Sequence, residues 1–437
     1  MAYDNMINEP WRKQAPEVHE LSGLALPPLQ RLQLSNGITL NVLDRGDADV
    51  CRLGIFMRGG SAENRTQSIA ALASSLIREG SKDYPGSALA DLFERNGAWL
   101  DTSAHPHHTS VHIYSLNNRF CRILPGVADM VLNPELSDDV FNIFRENKAR
   151  ALETELCKVA TVAMRESDRI FFGQGHPMAR LERPDDIRNL TAGDIRDFHG
   201  SRCDASNISL FLTGKINDKT INAVADIFGS IKAENEPYQL DVRLPQGIWS
   251  QDVHHVGLPG AAQAAVRMTI PAVSREHDDY EMLRIAVCAL GGYFGSRLNA
   301  NIREAKGLTY GIAASIIGID GYGAINISCQ CDNRYTDTVI SEIHHELHRM
   351  ESGDYTADEI ARLKRFYMTS LSAILESPFS VTDFYESSYI AKIPADYFDQ
   401  QLNALDVLSA ESLSEMASKY FKSDAALTVV AGQKTQA

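Results

Sequence analysis

The sequence contains no long apolar run, no Cys-x-x-Cys pair and no surplus of basic charge. Each absence removes a class of protein. A membrane-spanning helix needs about 18 or more consecutive apolar residues, and none is present. Seven cysteines (Cys51, Cys121, Cys157, Cys203, Cys288, Cys329 and Cys331) are odd in number and scattered, so neither a zinc knuckle nor a disulfide framework is indicated. Cys329 and Cys331 lie in an apparent strand, where residues two apart share a face, and read as packing residues. With 42 Lys+Arg against 57 Asp+Glu the formal charge is −15, which argues against binding nucleic acid or an anionic membrane. The acidity either keeps the chain soluble or favours cationic partners. The first 20 residues are polar and show no secretory h-region, so a cytoplasmic, reduced protein is the expectation.

What is present is a globular composition, 44% apolar and 23% charged, spread over 437 residues. That length exceeds a single ordinary core and predicts two domains. An internal repeat supports this. LTAGDIRDFHGSRCDASNISLFLTG (Leu190–Gly214) aligns without a gap on LSAESLSEMASKYFKSDAALTVVAG (Leu408–Gly432). Both begin with a Thr or Ser suited to cap a helix, continue with apolar residues at helical spacing, and end in a β run closed by Gly. Likewise ADLFERNGAWLDTSA (Ala90–Ala104) aligns on ANIREAKGLTYGIAA (Ala300–Ala314), each with a helix stopping at a glycine, Gly97 or Gly307. The two unit types recur in the same order.

Further strands are predicted over 37–43, 51–57, 264–270 and 324–330, with helices over 68–78, 139–162 and 336–350. The fold class is therefore α+β: two duplicated halves, each a mostly antiparallel sheet covered by helices. The expected domains are 1–232 and 250–437, joined by a polar linker over 233–249.

Several stretches carry a family resemblance. LQLSNGITLNVL, GIFMRGGSAEN, SIAALASSLIREGSKDYPG and LFERNGAWLDTSA resemble the first half of pitrilysin/insulinase-type metallopeptidases, the inverzincins. LGGYFGSRLNANIREAKGLTY resembles their second half. The length fits the branch that includes processing-peptidase subunits, and the resemblance implies half of a peptidase clamshell. Active members carry His-x-x-Glu-His on a helix: two His at i and i+4 hold zinc while the Glu serves as base. Here the matching positions read Ala71, Ser74 and Ser75. The third-ligand register falls on Thr154, between Glu153 and Glu155. Neither imidazole nor base is available, so no metal is expected in this chain. A second element of the family, Arg-x-x-x-Gly-Leu-x-Tyr, is matched by Arg303, Gly307, Leu308 and Tyr310. The resemblance implies that Arg303 and Tyr310 donate to the carbonyl oxygen as charge develops on it. The aligned first-half positions are Phe93 and Leu100, so the polar pair occurs once.

Other constellations are weaker. AHPHHTSVHIY holds His105, His107, His108 and His112; if extended, His105 and His107 share one face and His108 and His112 the other. HHELH (His344–His348) spells neither zinc motif, because position 347 is Leu. Gly291, Gly292 and Gly295 do not form a phosphate-binding pattern and read as a turn. The resulting expectation is a non-catalytic subunit of a heterodimeric zinc peptidase. A homologous HxxEH-bearing chain would supply zinc, and extended peptides would be the substrates. A homodimer is the other pairing, a scaffold or peptide-binding protein is the rival function, and an active enzyme using His105 and His107 is the third reading.

Overall fold

The computed structural model describes residues 17, 21, 23–240, 242–319 and 321–433; apart from Glu17, the polar N-terminal stretch lies outside them. Sheet one comprises β1 (Gln30–Gln33), β2 (Thr39–Asp44), β3 (Val50–Arg58), β4 (Trp99–Ala104), β5 (His108–Leu116) and β6 (Ile208–Gly214). Its spatial order is β1-β2-β6-β3-β5-β4. Sheet two comprises β7 (His254–Gly257), β8 (Ala264–Ala272), β9 (Thr309–Ile319), β10 (Tyr322–Cys331) and β11 (Leu427–Gly432), in the order β7-β11-β8-β10-β9. Apart from the extra β1, the two orders superpose. In each sheet one pair is parallel, β2 with β6 and β7 with β11, and the rest are antiparallel. The α+β expectation of two mostly antiparallel halves is met.

The repeat is visible in local geometry. Thr191 and Ser409 both cap their helices, accepting from the backbone N–H of Asp194 and Ser412. Gly97 and Gly307 both adopt φ +62°, the left-handed region where an L side chain is strained.

In the first half, α1 (Ser68–Leu76), α2 (Ser87–Arg95), α3 (Asn117–Leu132), α4 (Asp138–Glu155), α5 (Val159–Phe172), α6 (Ala192–Arg202) and α7 (Asp218–Phe228) accompany the strands. The second half has α8 (Tyr280–Val287), α9 (Thr336–Glu351), α10 (Ala357–Ile374), α11 (Pro378–Ile390), α12 (Tyr397–Asp406) and α13 (Ala410–Tyr420). Along β3 the side chains alternate. Cys51, Leu53, Ile55 and Met57 enter a core completed by Phe120, Ile123 and Val127 of α3 and by Val224 and Phe228 of α7. Its counterpart packs Val266, Met268 and Ile270 of β8 against Val339 and Ile343 of α9 and Leu413 of α13.

The single helix expected over 139–162 is two. The chain breaks after Glu155, with Lys158 in an extended conformation, and α5 leaves in a new direction. That helix packs across the molecule: Val159, Ala163 and Phe171 share a core with Ala265, Leu427 and Val429 of sheet two. Ser167 and Thr269 hydroxyls meet at 2.9 Å. The favour is returned by α11. Buried Arg52 of β3 donates to Glu386 at 3.1 Å and to Asp383 at 2.5 Å. The Thr213 and Thr382 hydroxyls lie 2.7 Å apart, and those of Ser209 and Tyr389 2.6 Å apart. The register that aligns Leu190 with Leu408 also aligns α5 with α11 and Asp168 with Glu386. Asp168 faces the field of Arg267 on β8, as Glu386 faces Arg52 on β3. Each half therefore lends one helix, with acidic side chains facing an arginine, to the other half's sheet.

Candidate functional site

Helix α1 is held by Ile69, Leu72, Ala73 and Leu76, which pack against Phe141 of α4 and Ile195 and Phe198 of α6. This fixes the register of the motif positions. Ala71 and Ser75, one turn apart, are half-buried, and Ser74 is buried. The Ser74 hydroxyl donates to the Ser103 carbonyl of β4 at 3.3 Å, and Ser75 donates to the Ala71 carbonyl at 2.9 Å. Zinc takes imidazole nitrogen, thiolate or carboxylate. Alanine offers no donor, and both hydroxyls are neutral and spend their protons on the backbone. At the third position Thr154 donates to Arg150 O at 3.1 Å. Glu153 pairs with Arg188 at 2.7 Å and Glu155 with Lys158 at 2.6 Å. These residues do not fit zinc.

Behind Ser74 lies a small cavity reached by His199 and Arg202 of α6. His199 was not singled out in the sequence, since an isolated histidine on a helix carries no signal. It is buried, its Nε2 has no hydrogen-bond partner, and desolvation pushes its pKa down to about 4.

Of the four histidines after β4, His108 and His112 lie on β5, where residues four apart share a face as expected, whereas His105 and His107 depart from the extended arrangement. Residues 105–107 form the turn of the β4–β5 hairpin, so faces do not alternate there. His105 stacks on His108, with ring centroids 4.3 Å apart. His107 turns away to Glu63, its Nδ1 2.6 Å from the carboxylate. His112 contacts Glu386 through Nε2 at 3.1 Å. His105 and His107 are thus drawn apart rather than placed on one face. Burial, reinforced by the neighbouring imidazoles, pushes His108 down to about 3. Among the described residues no three His, Cys, Asp or Glu side chains converge as a metal group. Gly60 sits under this turn with no room for a Cβ, which would fall 2.0 Å from the His105 carbonyl. Gly291 likewise lies against β9, where a Cβ would come within 2.6 Å of Ala314; it is a buried residue of the π-helical turn Cys288–Gly292. In HHELH, Glu346 is buried and accepts from Asn301 at 2.8 Å, while His348 faces solvent.

Arg303 and Tyr310 are brought together. Arg303 lies on the π-helical turn Asn299–Ala305, and Tyr310 opens β9. The guanidinium carbon lies 4.5 Å from the ring centre of Phe294 and 5.6 Å from that of Tyr310. Tyr310 is 92% exposed and Phe294 63% exposed. Among the described residues Arg303 has no carboxylate partner. The cation is held by two aromatic faces, which orient it without neutralising it. Phe294 was missed in the sequence because its aromatic ring sits in a glycine-rich loop with no period to flag it. The aligned Phe93 is buried, so the two halves use these positions differently.

The pattern described as "Insulinase (Peptidase family M16)" matches residues 42–167, and that described as "Peptidase M16 inactive domain" matches 189–367. The chain belongs to peptidase family M16. Subunit 1 of the mitochondrial cytochrome b-c1 complex of Rattus norvegicus is 22% identical over 91% of this chain and 85% of that protein. YmfF of Bacillus subtilis, named a probable inactive metalloprotease, is 20% identical over 80% of this chain and 88% of its own. The crystal structure of a peptidase M16 inactive domain from Pseudomonas fluorescens superposes with a TM-score of 0.84 at 19% identity, covering 93% of this chain and 98% of that one. Within family M16 this chain is an inactive member, since Ala71, Ser74 and Ser75 stand at its metal-motif positions.

Proposed function

We propose that this M16 chain is the zinc-free subunit of a two-chain peptidase. A homologous HxxEH-bearing partner supplies the metal and the base, and this chain supplies Arg303 and Tyr310. The supporting observation is the guanidinium of Arg303, clasped between the exposed rings of Phe294 and Tyr310 and lacking a carboxylate partner among the described residues. A guanidinium free of a carboxylate is suited to an oxygen that gains negative charge, and the phenol hydroxyl of Tyr310 is a second donor. The outer strands β4 and β9 leave one backbone edge each for an extended peptide to add as a strand.

The test is a reconstituted pair of this chain with an HxxEH-bearing homologue. Arg303→Ala should lower turnover by about 10²–10³-fold and Tyr310→Phe by less, with the pair still assembled and its zinc retained. Unchanged turnover in both variants would remove them from the site. A scaffold role is the second reading, favoured by the similarity to a cytochrome b-c1 complex subunit. It requires that no homologous partner yields turnover.

A further inference from the structure

Three aromatic rings meet on the face of sheet one that α11 covers, where β4 forms the outer edge. Trp99 of β4 stands directly opposite Tyr114 of β5, and their ring centroids lie 5.0 Å apart. Tyr114 in turn meets Phe379 of α11 edge-on at 5.6 Å. A single exposed ring is common on protein surfaces. Here three rings from three elements are in contact, and the outermost, Trp99, is 60% exposed.

The charge beside these rings is negative. Arg52, 2% exposed, reaches Tyr114 and Phe379 from the buried side and is paired by both Asp383 and Glu386, one cation against two carboxylates. Asp383 lies one turn along α11 from Phe379, with its side chain 61% exposed. Asp101 stands two residues beyond Trp99 on the same face of β4, half-buried, and accepts from the Ser103 hydroxyl at 3.4 Å. Among aromatic faces the indole attracts a cation most strongly.

The far edge of β4 is unpaired within the sheet. An antiparallel strand added there sets one side chain directly opposite Trp99 and on the same face, with Cβ atoms about 4.5–5.5 Å apart. We propose that this patch is a subsite for a lysine or arginine side chain of an extended peptide on β4. The cation lies over the indole in the negative field of Asp101 and Asp383, and the aliphatic stem packs along the ring. The repeat-related residue on β9 is Thr309, so the subsite belongs to one edge only. The inference rests on the peptide reading of the β4 edge and not on the roles given to Arg303 and Tyr310.

The experiment titrates the full chain, by calorimetry, with a β-prone hexapeptide acetylated and amidated at its ends. Its one variable position carries lysine, Nε-acetyl-lysine or norleucine. The lysine peptide should bind about five- to tenfold more tightly than either neutral peptide, and added salt should narrow the gap. Trp99→Leu should abolish the preference while leaving norleucine binding within about twofold, and Trp99→Phe should keep part of it. Asp101→Asn should weaken lysine binding by about two- to fivefold. Because Trp99 is largely exposed, both Trp99 variants should melt with the parent, which separates lost binding from lost folding. Equal binding of the three peptides, or an undiminished lysine preference in Trp99→Leu, overturns the subsite and leaves the β4 edge as a peptide surface. Binding of none of them overturns the subsite and the β4 edge together, and leaves the turnover test of Arg303 and Tyr310 standing.

Discussion

Two desolvated titrating side chains, buried His199 and half-buried Asp168, pull the stability of this protein in opposite directions. His199 is held near pKa 4 by desolvation, against 6.5 when exposed. Between those values the unfolded chain takes a proton that the folded chain refuses, so this group's contribution is lost as pH falls. Asp168 is pushed up to about 6 by burial, with Arg267 and Arg165 only partly opposing. Between about 4 and 6 the folded chain holds the extra proton, so its contribution is lost as pH rises. Each is worth on the order of 2–3 kcal/mol. Relative to the parent, His199→Leu should gain stability as pH drops from 6.5 to 4, and Asp168→Asn should lose it. Urea midpoints across that range check both signs, and parallel curves for parent and variants would refute the assignment. Neither residue was legible in the sequence, because burial is what makes them unusual and a lone His or Asp on a helix does not announce it.

At the scale of elements, the arginine under α11 carries the joint. Arg52 is 2% exposed and Glu386 7%, so truncating one partner strands the other. Arg52→Ala should cost about 3–5 kcal/mol in chemical denaturation, whereas Arg52→Met with Glu386→Met should recover most of it. A cost below about 1 kcal/mol would mean that solvent reaches the pair. The strands, the capping residues and the helix-ending glycines were readable, because alternation, Thr191, Ser409, Gly97 and Gly307 are local signals. So was the altered metal motif, which is a matter of residue identity at fixed spacing. The crossing of α5 and α11 was not. Arg52, Thr213 and Ser209 alternate with apolar neighbours as a solvent face would, and only the tertiary structure shows a helix lying over them. The histidine faces, conditional on an extended segment, hold for His108 and His112 on β5 and fail for His105 and His107, where the chain turns at Pro106.

For the whole molecule, the exchange of α5 and α11 makes each sheet depend on the other half for its cover. Residues 23–232 expressed alone should expose the polar face of sheet one and fail to give a cooperative transition, and adding residues 243–433 in trans should restore one. The intact chain should unfold in one calorimetric step. Two separate transitions, or an independently folded first half, would contradict this. The exchange also describes a history in physical terms. Two identical protomers that traded one helix each would be a domain-swapped dimer, stable only above some concentration. Here the segment between the halves makes that dimer a single chain. Its two copies are always present one to one and are no longer obliged to be identical. The copy with Ala71, Ser74 and Ser75 and the copy with Arg303 and Tyr310 could each change without the other following.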